Sequence, residues 1–306
     1  MNSETETNAQ TKKAPPPPPK TASANTTANI APVSLAEARA KRGRRVLIYG
    51  EPGVGKTTTA TKINAPTLYI DLEGTLPDLF DEIPEHIVSV EPKDWDTLLA
   101  VLRSEKLNKY GAVVIDSLTT AEKMMWGYIS IHATKAPEGY GMICFSEKPN
   151  AVPLKDGRQL GGGGEQAAKC SLWFELEDAM TSVIKRGIHV VNLCHDIEKE
   201  KDDASGGTDI RHGPRLSESK KNADKSNRER AVEWHGEVLF VKWETLVKDE
   251  AHMTKTGKRI VLGQPDEEHA GEFDGVTSKS RRGWSIGYLD DFDSNALLGI
   301  SKQGKD

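Results

Sequence analysis

The chain lacks the marks of a secreted, membrane-spanning or strongly basic protein. It has three cysteines, Cys144, Cys170 and Cys194, in odd number and without C-x-x-C spacing, which argues against a disulfide framework or a zinc ribbon and fits a reducing cytosol. No long uncharged apolar run occurs, and no h-region follows the N-terminus, so neither a membrane span nor a secretory signal is expected. The formal net charge is -5 at pH 7 and the sequence pI is near 6.0. Such a chain is no basic nucleic-acid coat, and any nucleic-acid site on it must be a local patch. No internal repeat is visible. These absences lead to the expectation of a soluble, cytoplasmic protein.

What is present begins at Val46-Leu47-Ile48-Tyr49, a buried-strand pattern that runs into Gly50-Glu51-Pro52-Gly53-Val54-Gly55-Lys56-Thr57-Thr58. Gly50-x4-Gly55-Lys56-Thr57 is the complete phosphate-loop signature. Small residues let backbone N–H groups curl around phosphate oxygens, and the positive end of the following helix faces the same anion. Residues 50–58 are therefore the expected nucleotide cradle. Lys56 reaches the outer phosphates, and Thr57 offers its hydroxyl to Mg²⁺.

Strand patterns at Thr67–Asp71, His86–Val90, Ala112–Asp116 and Ile188–Cys194 alternate with helical patterns at Asp94–Lys106 and Leu172–Lys185. Alternation of this kind predicts an α/β fold, a mostly parallel sheet flanked by helices, with ligands at the carboxyl ends of the strands. Segments 136–166 and 196–230 read as long loops. Glu237–Trp243 and Arg259–Leu262 read as further strands, with a turn over Lys255–Lys258. Residues 1–32 hold five consecutive prolines, Pro15–Pro19, among Thr, Ala, Asn and Lys, a composition that cannot bury enough apolar surface to fold. The expected organisation is a disordered arm over residues 1–40, one ATPase domain over 41–290 and a tail over 291–306.

Two acids complete the chemistry. Ala112-Val113-Val114-Ile115-Asp116 is a buried strand ending in an acid, which places Asp116 beside Mg²⁺ and Thr57, directly or through water. The strand Thr67–Asp71 is expected to neighbour the phosphate-loop strand, so that Glu73 projects toward the γ-phosphate and orients an attacking water. The other reading of Asp71 and Glu73 is that they cap a strand end or pair with surface lysines.

Gly50–Thr57, Ile70-Asp71-x-Glu73, Val114-Ile115-Asp116-Ser117 and Val190–His195, in that order, resemble the RecA-type ATPase core. With Glu73-Gly74 and Cys194-His195, the chain is most similar to phage-encoded RecA-like proteins of the Sak single-strand-annealing group, over roughly residues 44–290. The resemblance implies an ATPase acting in phage DNA recombination in the host cytoplasm, a ring or filament of identical subunits, and single-stranded DNA as partner. By the same resemblance Glu73 matches the catalytic glutamate, and His195 falls where such proteins place a polar sensor, usually glutamine. A histidine there would make the response pH-dependent. The plain alternative is an ordinary strand-end residue. Lys279-Ser280-Arg281-Arg282 resembles the basic motif inserted across a subunit interface to reach a neighbour's nucleotide, which makes Arg281 a candidate catalytic residue; the alternative is a surface basic patch.

The resemblance also implies that the loop over residues 196–230, with Lys199, Lys201, Arg211, Arg215, Lys220, Lys221, Lys225, Arg228 and Arg230, tracks a DNA backbone. The same loop carries many acids and few aromatics, and reads equally as a solvated charged segment. Trp234 and His235 are the nearest aromatic candidates. The basic run Lys41–Arg45 is a solvated approach to the core or an arm touching nucleic acid. A small-molecule or nucleotide kinase, which shares the strand, phosphate loop and helix, and a nucleotide-gated scaffold remain the alternatives in function.

Overall fold

The computed structural model describes residues 34, 37, 41–79, 84–133, 151–161, 165–202, 208–218, 226–249, 252–265, 267, 273 and 275–300. Apart from Ser34 and Glu37, the expected arm lies outside these residues, as do residues 136–150 and 162–164 of the first expected loop.

The strands are β1 (Arg45–Gly50), β2 (Thr67–Asp71), β3 (Ile87–Val90), β4 (Ala112–Asp116), β5 (Ala151–Pro153), β6 (Gln159–Gly161), β7 (His189–Asp202), β8 (Thr208–Pro214), β9 (Glu237–Asp249), β10 (His252–Leu262), β11 (Lys279–Ser280) and β12 (Ile286–Tyr288). The helices are α1 (Lys56–Thr61), α2 (Leu76–Leu79), α3 (Trp95–Arg103), α4 (Leu118–His132), α5 (Glu165–Lys185), α6 (Asn227–Trp234) and α7 (Ser294–Leu298). The main sheet runs β12-β10-β9-β1-β7-β4-β2-β3. From β9 to β3 every pairing is parallel, and β10 and β12 add an antiparallel edge.

Both faces of β1, β2 and β4 are covered, which is why these strands read as nearly unbroken apolar runs. Side chains alternate across the pleat: Leu47 and Tyr49 join one apolar cluster with Trp95, Leu98, Met125, Trp173 and Met180, while Val46 and Ile48 join another with Ala60, Ile63, Phe292 and Leu297. The first cluster is roofed by α3, α4 and α5, the second by α1 and α7. Phe292, Leu297 and Leu298, within the expected tail, are thus buried core residues. Among the described residues no helix is long and apolar enough to cross a membrane.

Three sequence expectations are corrected. First, β2 does not neighbour β1; β7 and β4 lie between them. Apolar runs alone carry no strand order. Second, residues 196–230 are not one loop. Asp196–Asp202 prolongs β7 and pairs antiparallel with β8, and α6 follows. Glu198-Lys199-Glu200-Lys201-Asp202, charged at every position, has no apolar period to read. Third, Lys255–Lys258 lies inside β10, where a register shift between Lys255 and Arg259 takes up the Gly257 φ of 83°. The glycine marks a bulge and not the end of a strand.

Helix α6 is anchored by Ser226, a buried residue whose side chain accepts from the Glu229 amide at 3.3 Å. Ser226→Ala is expected to lower stability by about 1 kcal/mol, as for other lost helix caps, read from urea unfolding.

Candidate functional site

The site lies where β1 and β4 end, beside His195 midway along β7. Gly50 closes β1 against β9: a Cβ there would stand 2.1 Å from the Val241 carbonyl oxygen, so the strand junction requires glycine. The loop then turns through Gly53 and Gly55, at φ of 74° and 97°. Gly55 is the N-cap of α1 and no side chain caps that helix, so its leading N–H groups stay available to an anion. Lys56 is buried, and its Nζ donates to the carbonyl oxygens of Gly50 at 2.9 Å and Glu51 at 2.8 Å, spanning the loop. Burial lowers its pKa, opposed chiefly by the Asp116 carboxylate.

Asp116 ends β4 beside this cradle. The Thr57 hydroxyl donates to its Oδ2 at 2.8 Å, and the Tyr69 hydroxyl donates to the same oxygen at 2.6 Å. Burial raises the Asp116 pKa while these two hydrogen bonds hold it back. A buried carboxylate against a hydroxyl at the end of a phosphate loop is an oxygen donor set suited to Mg²⁺, and a divalent charge there would offset the penalty of burying Asp116. Thr57 and Asp116 are accordingly the residues that fit the metal.

Glu73 arrives by way of Asp71. One Asp71 oxygen accepts from the amides of Glu73 at 3.1 Å and Gly74 at 2.8 Å, and the other from the Leu76 amide at 2.8 Å. Leu72 donates its amide to the Asp116 carbonyl at 2.7 Å, so the turn folds over the end of β4. This brings Glu73 to the site although β2 is not beside β1. Glu73 Oε1 accepts from Ser117 Oγ at 2.5 Å, His195 Nε2 at 2.8 Å and Thr120 Oγ1 at 3.1 Å. The His195 hydrogen bond is the largest cause, with Ser117 and Thr120 adding to it, of a Glu73 pKa lowered to about 2 against the opposing effect of burial. Glu73 is thus a carboxylate at neutral pH, and among the described residues no lysine is hydrogen-bonded to it.

His195 is placed by strand register, opposite Gly50, and by its own amide, which donates to Thr119 Oγ1 at 3.1 Å. Cys194 is fully buried, and burial pushes its thiol up to about 12, which leaves it an inert core residue.

Lys56, Thr57, Asp116, Glu73 and His195 therefore converge, whereas Arg281 does not. It follows β11, whose residues pair with Val238 and Glu237 at the amino end of β9, while Gly50 pairs with Val241. Within one chain it stands at the opposite edge of the sheet. Of the basic residues expected to track DNA, Arg230 pairs with Glu177 at 2.6 Å, Arg228 with Glu218 at 3.3 Å, and Lys199 also with Glu218. Arg215 lines a cleft of about 260 Å³ with Glu51, Pro52 and Asp196. Lys220, Lys221 and Lys225 lie outside the described residues.

Sequence reading missed Ser117, Thr120 and Tyr69, the hydroxyls that hold the two carboxylates. The only available signal was that each lies within four residues of Asp71 or Asp116 in sequence. It also missed Arg259, whose Nη1 would be 2.7 Å from a Cβ on Gly55 and which pairs with Asp290 at 2.6 Å. No local pattern announces a residue delivered to the loop from β10.

No curated protein matches the chain in sequence. Among solved structures, the flagellar accessory protein FlaH from Methanocaldococcus jannaschii is similar at 9% identity and a TM-score of 0.38, over 72% of this chain and 78% of that one. The KaiC-like protein PH0186 from Pyrococcus horikoshii OT3 is similar at 15% identity and a TM-score of 0.36, over the same shares. Residues 42–144, the stretch that holds the phosphate loop, Glu73 and Asp116, match the family described as an AAA domain.

Proposed function

We propose that this protein hydrolyses ATP and binds DNA, acting in recombination or single-strand annealing as a ring or filament of identical subunits. The observation that carries the hydrolase reading is the triple hydrogen bonding of Glu73 Oε1 by Ser117, Thr120 and His195. These donors fix the carboxylate and engage one oxygen only, which leaves Oε2 to orient a water. A carboxylate lowered to about 2 orients water by accepting its hydrogen bond and takes up its proton poorly. Water oxygen attacks the γ-phosphorus, the bond from that phosphorus to the β,γ-bridging oxygen breaks, and ADP leaves with the electron pair. The water's proton ends on inorganic phosphate. Lys56 and the α1 amides hold the phosphates. Bound Mg²⁺, held by Thr57 and Asp116, would supply charge neutralisation. His195, hydrogen-bonded to Glu73, is placed to couple its position to the contents of the site.

The DNA-binding reading is supported by the resemblance to the Sak group. Its test is ATP hydrolysis by the full chain with and without single-stranded DNA at two salt concentrations. Stimulation that fades with salt is expected. Hydrolysis indifferent to DNA at both salts would overturn the DNA reading and redirect attention to a phosphoryl acceptor.

A further inference from the structure

The two basic runs at 41–45 and 279–282, remote in sequence, meet at the amino ends of β1 and β9. Arg44 and Arg282 both donate to the Leu297 carbonyl, at 2.5 and 2.7 Å. Lys279 donates to the Val232 and Glu233 carbonyls at the end of α6. These three cations are spent on capping helices. Arg42, Arg45 and Arg281 are not: among the described residues none of them is in an ion pair. The Gly236 amide donates to the Arg45 carbonyl at 2.9 Å, and a Cβ on Gly236 would stand 3.9 Å from Arg281 Cδ, so one glycine joins the two runs.

The arrangement suits phosphate recognition. The Arg45 guanidinium lies 5.2 Å over the ring of Trp234, itself fixed by a 3.1 Å hydrogen bond from its indole nitrogen to Thr181. A guanidinium held by an aromatic face and not by a carboxylate keeps its donors for a ligand. Burial, then Arg42 and Arg281, lower the Arg45 pKa, and burial, then Arg281 and Arg45, lower that of Lys279, so the cations repel one another. The facing acids do not neutralise the patch. Glu237 is buried, accepts from Ser280 at 2.5 Å, lies 3.9 Å from Arg282 and is also held by the Arg281 backbone and charge, and Glu233 is a single exposed carboxylate, so two acids face Arg42, Arg44, Arg45, Lys279, Arg281 and Arg282.

We propose that Arg42, Arg45 and Arg281, grouped around the Arg45 guanidinium that lies over Trp234, bind the backbone phosphates of single-stranded DNA at the edge of the sheet opposite the phosphate loop. The proposal rests on the DNA-binding reading and moves its site from the segment after His195 to this edge. β1, six residues long, separates the two edges by about 16 Å. A cation cluster with one member over a partly exposed indole matches a strand that offers phosphates and unstacked bases. A membrane surface fits less well, because none of the exposed large apolar side chains, Val88, Ile131, Phe174, Ile210 and Tyr288, belongs to the patch.

Fluorescence anisotropy of a labelled oligo-dT strand with the full chain, at three salt concentrations, tests this. Arg42→Gln removes one exposed cation with no packing role, and its thermal midpoint should equal that of the unsubstituted protein. Affinity should fall about fivefold at 0.1 M salt, and the slope of log K against log salt by about 0.7, for each cation removed, in Arg42→Gln and again in Arg42→Gln/Arg45→Gln. Lys199→Gln/Arg211→Gln, on the β7–β8 ribbon, should bind as the unsubstituted protein does. Unchanged binding in the patch variants, a loss confined to the ribbon variant, or displacement of the oligonucleotide by phosphatidylserine vesicles would each overturn the proposal. If the unsubstituted chain fails to bind the strand at any salt, the DNA-binding reading falls as well. If it binds and the patch variants bind equally, only this inference falls.

Discussion

Glu73→Gln is expected to lower the rate of ATP hydrolysis about 10²–10⁴-fold, the range typical of a lost acid–base or water-orienting carboxylate, while ATP binding persists. The amide keeps the size of the side chain and one oxygen to accept from Ser117, Thr120 or His195, so the turn built by Asp71 should survive. What is lost is the negative charge that orients water. Lys56→Ala is the contrast. It removes the cation that spans the loop, so binding itself should weaken along with turnover. Equilibrium binding of a fluorescent ATP analogue beside phosphate release separates the two. Glu73→Gln with full hydrolysis would sink the assignment of Glu73. Loss of binding in both variants would make Glu73 a ligand-holding residue and not a water-orienting one.

The second large effect is acid sensitivity centred on His235. This ring is fully buried; its Nδ1 donates to the Ala231 carbonyl at 2.6 Å, and Nε2 accepts from Asn192 Nδ2 at 2.8 Å. Burial, with Arg45 and Lys279 adding repulsion, pushes its pKa down to about 3. Protonation would put an N–H at Nε2 against the Asn192 amide donor and leave a charge in the core. The unfolded chain takes up this proton below about pH 6.5 and the folded chain refuses it. Stability is therefore complete above that value and declines as pH falls toward 3, by about 1.4 kcal/mol per unit, or about 2 kcal/mol between pH 7 and 5. His189, also lowered by burial, and His212, raised by its hydrogen bond to Asp196, titrate in both proteins when His235→Gln is compared with the unsubstituted chain. Urea unfolding at pH 7 and 5 should show a smaller acid loss in His235→Gln by about 2 kcal/mol. Equal losses would mean that the folded ring accepts the proton.

The residues nearest one another in sequence were the ones the sequence by itself determined. Gly50–Thr57 carries its own geometry, because a strand, two positive-φ glycines and a helix start place Lys56 and Thr57 without outside help. Thr67–Asp71 and Ala112–Asp116 are strands of the same bounds as their apolar runs, since both faces of each are buried. The tertiary structure decided what depends on strand order and on contacts between distant segments. It set β7 and β4 between β1 and β2, then returned Glu73 to the site through a turn held by Asp71 and joined it to Ser117, Thr120 and His195. It turned the charged stretch after His195 into a ribbon, drew two basic runs to one edge, and set Arg259 against Gly55. A local pattern reports which faces are buried; it holds no record of which segment does the burying.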